Sequence, residues 1–391
     1  MSKRANEDQF PISQNKKSRS TKEGHAPNCV DDTCKGCDVG EVEISFVRKD
    51  ATGKTIDTEP NAQELLAMAI DEAANQKYND KDDNENNDMA HRLFDMAIEK
   101  YQKEEPDNHL GYATCLIELG KALQVEESIR EGLEVLRGEQ KKQKGNKEIL
   151  LKLAGAAIIL ANLLRKKKDT YFEEQEAELK DSDGEIDEVA YEELLQKQQV
   201  SREEIKLYKD AINHAKEAFE DIEKEENESI QKEIQTVLHE LRAYGQLLTQ
   251  PFHQIHVNTV LDAVISFIQK LPKYEEDADL LILWAACLLH KEKFIENEDE
   301  KLIVMKKIDD MLIKANKTHL LQHGKESAWV WEMYAMLRIN QSNLAEDEDK
   351  ALDLYDEAIK AFKKAHALDP DNPKLSEMVN MLEASPEEEE E

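Results

Sequence analysis

The stretch 351–373, ALDLYDEAIKAFKKAHALDPDNP, constrains the fold of this chain more than any other. Leu354, Ala358, Phe362, Ala365 and Leu368 follow one another in steps of three and four, so they share one face of a helix. Ala358 and Ala365 are small and let a neighbouring helix come close, while Phe362 between them fills the space that remains. The helix must stop near Asp369-Pro370, because proline cannot continue it and restrains the residue before it.

A small residue, an aromatic four positions later, a small residue three further on and a proline five beyond that resembles the second helix of a tetratricopeptide repeat. That repeat is a helix-turn-helix unit of about 34 residues. The chain before it reads as earlier, more degenerate versions of the same unit. Six helix pairs are expected: about 61–77 with 88–105, then Leu116, Leu119, Gly120 and Leu123 with Ile129, Leu133 and Leu136, then 147–167 with 203–223. Leu241, Tyr244, Gly245 and Leu248 open the fourth pair, which Ala263, Phe267 and Pro272 close. Leu281, Trp284, Ala285 and Leu288 with Ile308, Leu312 and Ala315 form the fifth, Trp331, Tyr334 and Ala335 open the sixth, and residues 373–382 cap it. The fold class is therefore all-α: a right-handed superhelical solenoid of about six degenerate tetratricopeptide-like helix pairs, in which each pair buries its stripe against its neighbours. A large residue at Gly245 or Ala358 would overpack such a contact.

Composition agrees. Aromatics are 6% of the 391 residues, and Gly and Pro number only 13 and 9, which leaves little for strands and turns. The charge balance of 52 basic against 85 acidic residues, a net −33, would repel phosphates, so direct nucleic-acid binding is not expected. No apolar run approaches the ~18 residues of a membrane span. Five cysteines, an odd number in a long chain, suit a reducing compartment.

Residues 1–60 stand apart from the helical repeat domain 61–384 and from the acidic tail 385–391. Lys3 and Arg4, then eleven residues, then Lys16, Lys17 and Arg19 have the separation of a bipartite nuclear import signal. A polar segment without helical period would present the two clusters to separate acidic pockets of an import receptor. His25, Cys29, Cys34 and Cys37 have the donor set of a tetrahedral zinc site. A metal-free segment with reactive thiols is the alternative, and an iron–sulfur loop lacks its fourth cysteine. Residues 41–47 alternate apolar and polar and read as a short strand or an extended segment. Between the helices of the third pair, residues 171–196 carry eleven acidic residues and one lysine from 173 to 193. This insertion reads as a solvated loop, a partly helical arm or a docking site for a basic partner. Ser182 and Ser385, beside acidic residues, are candidate phosphorylation sites.

The chain shows no phosphate-binding glycine loop, no nucleophile elbow and no His-Glu-x-x-His zinc helix, so no enzyme and no cofactor are expected. His253, His256, His319 and His323 are read as surface residues near helix ends. The basic start, the acidic all-helical body, the six degenerate pairs and the acidic insertion together resemble the fungal enhancer-of-translation-termination family, which includes negative regulators of a prolyl-hydroxylase-type dioxygenase. The resemblance implies a nuclear adaptor that binds this 2-oxoglutarate- and iron-dependent dioxygenase, aids its nuclear import, and affects translation termination and oxygen-responsive transcription. Lys3, Arg4, Lys16, Lys17 and Arg19 correspond to the family's terminal import signal, whereas the cysteine-rich stretch departs from its pattern. A zinc-binding protein acting through the N-terminal cysteine cluster is one alternative, and a chaperone adaptor the other. The latter needs Lys and Asn four residues apart on a first helix, where this chain has Ile117 and Lys121, Arg242 and Gln246, and Ile282 and Ala286.

Overall fold

The computed structural model describes residues 12–13, 45–46, 48–49, 55–56, 59–78, 87–179, 187–220, 222 and 227–383. The chain forms two compact units, Met1–Pro106 and Asp107–Glu391. The described part of the first contains two-residue strands β1 (Ile12–Ser13), β2 (Ser45–Phe46), β3 (Arg48–Lys49) and β4 (Thr55–Ile56), with β1 antiparallel to β2 and β3 to β4. The alternating stretch 41–47 thus contributes a strand at Ser45–Phe46. Helices α1 (Ala62–Tyr78) and α2 (Asn87–Glu104) follow, and Ala69, Leu93, Phe94 and Ala97 are completely buried. The first helix is capped by Asn61, whose side chain accepts from the Glu64 N–H while Glu64 accepts from the Asn61 N–H.

The second unit is a succession of antiparallel helix pairs. They are α3 (His109–Leu123) with α4 (Glu126–Lys142), α5 (Lys147–Leu179) with α7 (Arg202–Ala218), and α8 (Glu228–Leu247) with α9 (Gln254–Lys270). Then come α10 (Ala278–Glu292) with α11 (Glu298–His323) and α12 (Ala328–Ser342) with α13 (Glu348–Leu368), and α14 (Pro373–Glu383) closes the stack. Short helix α6 (Glu188–Lys197) stands between α5 and α7. The first helices touch in the order α3, α5, α8, α10, α12, forming one layer, with the second helices beside it. The expected pairs and capping helix are all present.

The helix starts are written locally. Asn108, Ser201, Asn227, Asp277, Asn297 and Asp347 each cap a helix through a side-chain oxygen that accepts a backbone N–H. The packing shows why small residues recur. A methyl at Gly120 would stand 2.3 Å from Ile129 Cγ1, one at Gly132 2.8 Å from Ile117 Cγ1, and one at Gly245 2.5 Å from Leu261 Cδ2. The helices of a pair meet at those three points with no room for a side chain. The apolar run of α10 is explained by its position. Leu280, Leu283 and Cys287 join the core that starts at α3, while Ile282, Ala285, Ala286 and Leu289 join the next core with Met305, Ile308 and Leu312. In the last pair, Ala358, Phe362 and Ala365 are buried with Ala335 and Leu375.

One expectation is narrowed and one needs correction. Of the readings of the insertion 171–196, the described residues fit the partly helical arm and not the solvated loop. α5 continues as a single helix of 33 residues to Leu179, and α6 begins at Glu188, so both ends are helical. The buried stripe of α5 ends near Arg165, but charged residues sustain helix by propensity and i,i+4 pairing without burial. Nor are all four histidines surface residues, because His253 is buried and His256 half-buried.

Gly245→Ala should destabilise the protein by about 1–3 kcal/mol, since buried Leu261 cannot yield. Gly138→Ala meets nothing within 4 Å and should be neutral or stabilise by up to about 1 kcal/mol. Urea denaturation of the two variants measures both.

Candidate functional site

Two features built by the fold stand out: an acidic arm, and the row of side chains along the first helices. The arm consists of the outer end of α5 and of α6. Phe172 and Tyr191 face each other with ring centroids 6.2 Å apart, Lys197 Nζ lies 5.8 Å from the Tyr171 ring centroid, and Leu194 is buried. Glu173, Glu174, Glu178, Asp187, Glu188, Glu192 and Glu193 are exposed around this small apolar seam.

The base of the arm is held by a buried polar node. Arg165 of α5 is completely enclosed. Its Nε donates to Glu204 Oε1 at 2.9 Å, and its Nη1 donates to the Gln198 carbonyl at 2.8 Å and to Gln198 Oε1 at 3.1 Å. The other oxygen of Glu204 accepts from Lys168 Nζ and from the Ser201 N–H, both at 2.8 Å, while Ser201 Oγ accepts from the Glu204 N–H. The same carboxylate therefore caps α7 and neutralises the guanidinium. Burial pushes the Glu204 carboxyl up, but Arg165, Lys168 and Ser201 together hold it below the ordinary carboxylate range.

His253, in the short turn before α9, shares the Gln198 carbonyl at 2.8 Å, and Tyr208 OH meets His256 Nδ1 at 2.8 Å. Burial pushes His253 down to about 4, against the pull of its bond to Gln198. It also raises Asp169, 3.8 Å from Arg165 Nη1, to about 6, because desolvation outweighs the attraction of the guanidinium. This node was not singled out in the sequence. The spacing Ser201 to Glu204, a capping box, was the available signal.

Along the first-helix row, charges pair between helices. Lys121 of α3 reaches Glu240 of α8 at 2.7 Å, and Lys152 of α5 reaches Glu233 of α8 at 2.6 Å. Asn162 Nδ2 donates to Glu240 Oε2 at 3.0 Å. Farther on, Arg242 Nη2 donates to Gln246 Oε1 at 2.9 Å, and its guanidinium lies 5.4 Å from the Trp329 ring centroid. A groove of about 330 Å³ lies between α4, α5 and α7, with Leu133, Leu160 and Leu207 along it. Its charges, Arg130, Arg137 and Lys206 against Glu131, Glu134 and Glu203, balance and favour neither anion nor cation. Ile117, Ile282 and Ala286 are buried, so three of the six positions at which a chaperone adaptor would hold a carboxylate cannot present a side chain.

The residues expected to carry function lie elsewhere. Lys3, Arg4, Lys16, Lys17, Arg19, His25, Cys29, Cys34, Cys37, Ser182 and Ser385 all fall outside the described residues. Among the described residues no cluster of His, Cys, Asp and Glu is placed to hold a metal, and no helix is long and apolar enough to cross a membrane. Cys115 and Cys287 are buried, and enclosure pushes the Cys287 thiol up to about 12, which keeps it unreactive.

Comparison with known proteins gives distant likenesses. Residues 269–391 match a family described as the plant-specific mitochondrial import receptor subunit TOM20, a match confined to the C-terminal part that includes α10 to α14. No curated protein matches. Among solved structures, the S. pombe nuclear import adaptor Nro1 is similar at 15% identity and a TM-score of 0.44, over 84% of this chain and 98% of that one. A second structure, titled as showing that the hypoxic regulator of sterol synthesis Nro1 is a nuclear import adaptor, has 14% identity and a TM-score of 0.39, covering 82% and 92%. A circular tandem repeat protein has 16% identity and a TM-score of 0.37, covering 82% and 73%. These likenesses concern helical-repeat architecture, and no residue role is carried across them.

Arg165→Met should cost about 3–5 kcal/mol, because it leaves Glu204 buried without its guanidinium, and Arg165→Met with Glu204→Gln should recover part of that loss. Between about pH 4 and 6.5 the unfolded chain binds a proton at His253 that the folded chain does not, so this residue lowers stability as pH falls through that window. Asp169 acts oppositely between 3.8 and about 6, where the folded chain keeps a proton that the unfolded chain has lost. Asp169→Asn should therefore raise the melting temperature at neutral pH and steepen its fall toward acid, as thermal melts across that range would show.

Proposed function

We propose that this chain is a non-enzymatic nuclear adaptor. It binds a 2-oxoglutarate- and iron-dependent prolyl-hydroxylase-type dioxygenase, aids its nuclear import and regulates it, with effects on translation termination and oxygen-responsive transcription. The carrying observation is the continuous row of first helices, α3, α5, α8, α10 and α12, each in contact with the next. Stacked helix pairs are suited to contact with a folded partner, since each adds surface at a fixed rotation from the last. The terminal clusters Lys3–Arg4 and Lys16–Arg19 supply the import half of this reading, and the family resemblance supplies the partner. The arm and the net charge of −33 add selectivity, because they repel acidic surfaces and steer basic ones.

Affinity capture with purified dioxygenase and import receptor tests the two halves separately. The dioxygenase should bind both the full chain and a chain starting at Asn61, and the import receptor only the full chain. Absence of dioxygenase binding removes that partner. Alanine at Lys3, Arg4, Lys16, Lys17 and Arg19 should leave helicity unchanged by circular dichroism and shift a fluorescently tagged protein toward the cytoplasm. Unchanged nuclear accumulation would count against the import signal.

A further inference from the structure

The buried and half-buried arginines of the second unit follow a rule. Arg130 lies 2.6 Å from Glu203, Arg137 2.6 Å from Glu134, Arg165 2.8 Å from Glu204 and Arg338 2.9 Å from Glu357. In a chain with 85 acidic residues that is expected. Arg242 of α8 is the exception. It is half-buried, and among the described residues no carboxylate lies within ion-pair distance of it. Its Nη2 donates to the neutral Gln246, its enclosed Nε has no acceptor, and its charged face rests on Trp329 of α12. On the other helix Glu332 is in the complementary state. It is half-buried and forms no ion pair among the described residues, although the charges of Lys374 and then Arg242 act on it from farther off.

A partly desolvated charge without a close ion pair costs stability, and each of these groups would gain from an opposite charge brought into contact by a ligand. The two sit on first helices of different pairs, and His239 of α8 and Trp329 of α12 come together with ring centroids 6.0 Å apart. The place therefore belongs to the continuous row rather than to one helix. The surroundings decide the charge of the ligand. Glu332 near Arg242, with Asp279 and Glu240 near His239, would repel a phosphate dianion or a run of carboxylates. A single carboxylate fits, and a guanidinium supported on an indole face keeps its planar fork set for one.

We propose that the surface where α8 and α12 meet across α10 docks an extended segment of a partner protein, with one acidic side chain paired to Arg242 over Trp329 and one basic side chain paired to Glu332. It rests on the adaptor reading only in taking the ligand to be protein. The carboxylate uses the open edge of the guanidinium, and the enclosed Nε stays against Trp329. The basic side chain neutralises Glu332 and prevents the site from accepting a purely acidic peptide.

The test is selection of short random peptides on the full-length chain, followed by fluorescence polarisation of the strongest one with wild type, Arg242→Met, Arg242→Lys and Glu332→Gln. The expected consensus has one acidic and one basic position at fixed spacing. Arg242→Met should weaken binding roughly tenfold or more, as for loss of one charge-assisted hydrogen bond. Arg242→Lys should restore only part of it, and Glu332→Gln should remove the preference at the basic position alone. Equal binding by Arg242→Met with an unchanged melting temperature overturns the proposal, as does a consensus without an acidic position or a selection that enriches no peptide. If Arg242→Met does not fold, Glu332→Gln decides: a retained basic preference overturns the proposal, and its loss supports it. Failure here leaves the adaptor reading untouched where the wild-type chain still captures the dioxygenase. Peptide binding through Arg242 without dioxygenase capture removes that partner and keeps the site.

Discussion

The closeness with which paired helices approach is the constraint on which the rest of the second unit depends. At Gly120, Gly132 and Gly245 the facing side chain occupies the space where a Cβ would stand. Close approach lets thin apolar stripes exclude water, which a chain that is 35% charged residues needs. It also explains a core drawn out along the stack instead of gathered in a centre. α10 belongs to two successive cores and α12 likewise to two, so cohesion passes from each pair to the next.

Against this pattern, the enclosed Arg165–Glu204 pair is an expensive way to join two helices. Desolvating both charges costs much of what their attraction returns, and leucines of similar volume would pack as well. Geometry is what the pair contributes. Arg165 reaches the Gln198 carbonyl, Lys168 the Gln199 carbonyl, and Glu204 caps α7, so the link between α6 and α7 is fixed at several points. His253 draws the start of α9 to the same carbonyl. The acidic arm is thereby anchored to a rigid base, which an adaptor that uses the arm for steering would require.

Electrostatics divides this surface into two kinds. Where helices of the row cross, Lys121 with Glu240 and Lys152 with Glu233 neutralise each other between pairs and set the register of the stack. At Arg242 and Glu332 no close ion pair forms among the described residues, although both groups lose water. A fold that pairs its other buried and half-buried arginines and leaves one bare has kept an interaction in reserve, and charge complementarity gives its direction.

The sequence by itself determined the elements and their order. The stripe Leu354 to Leu368 with its terminal proline, the apolar run of α10 and the glycine at 245 are local signals of period, burial and close approach, and each is answered by the structure at the same residues. Only the tertiary structure decided which charged residues are special. Arg165, Arg242 and Arg338 are alike as letters among many lysines, arginines and glutamates. One is enclosed by Glu204, one lies bare on Trp329 and one is paired to Glu357. The difference arises because a charge takes its energy from whatever desolvates it and lies within a few ångströms, and those neighbours come from helices tens of residues away.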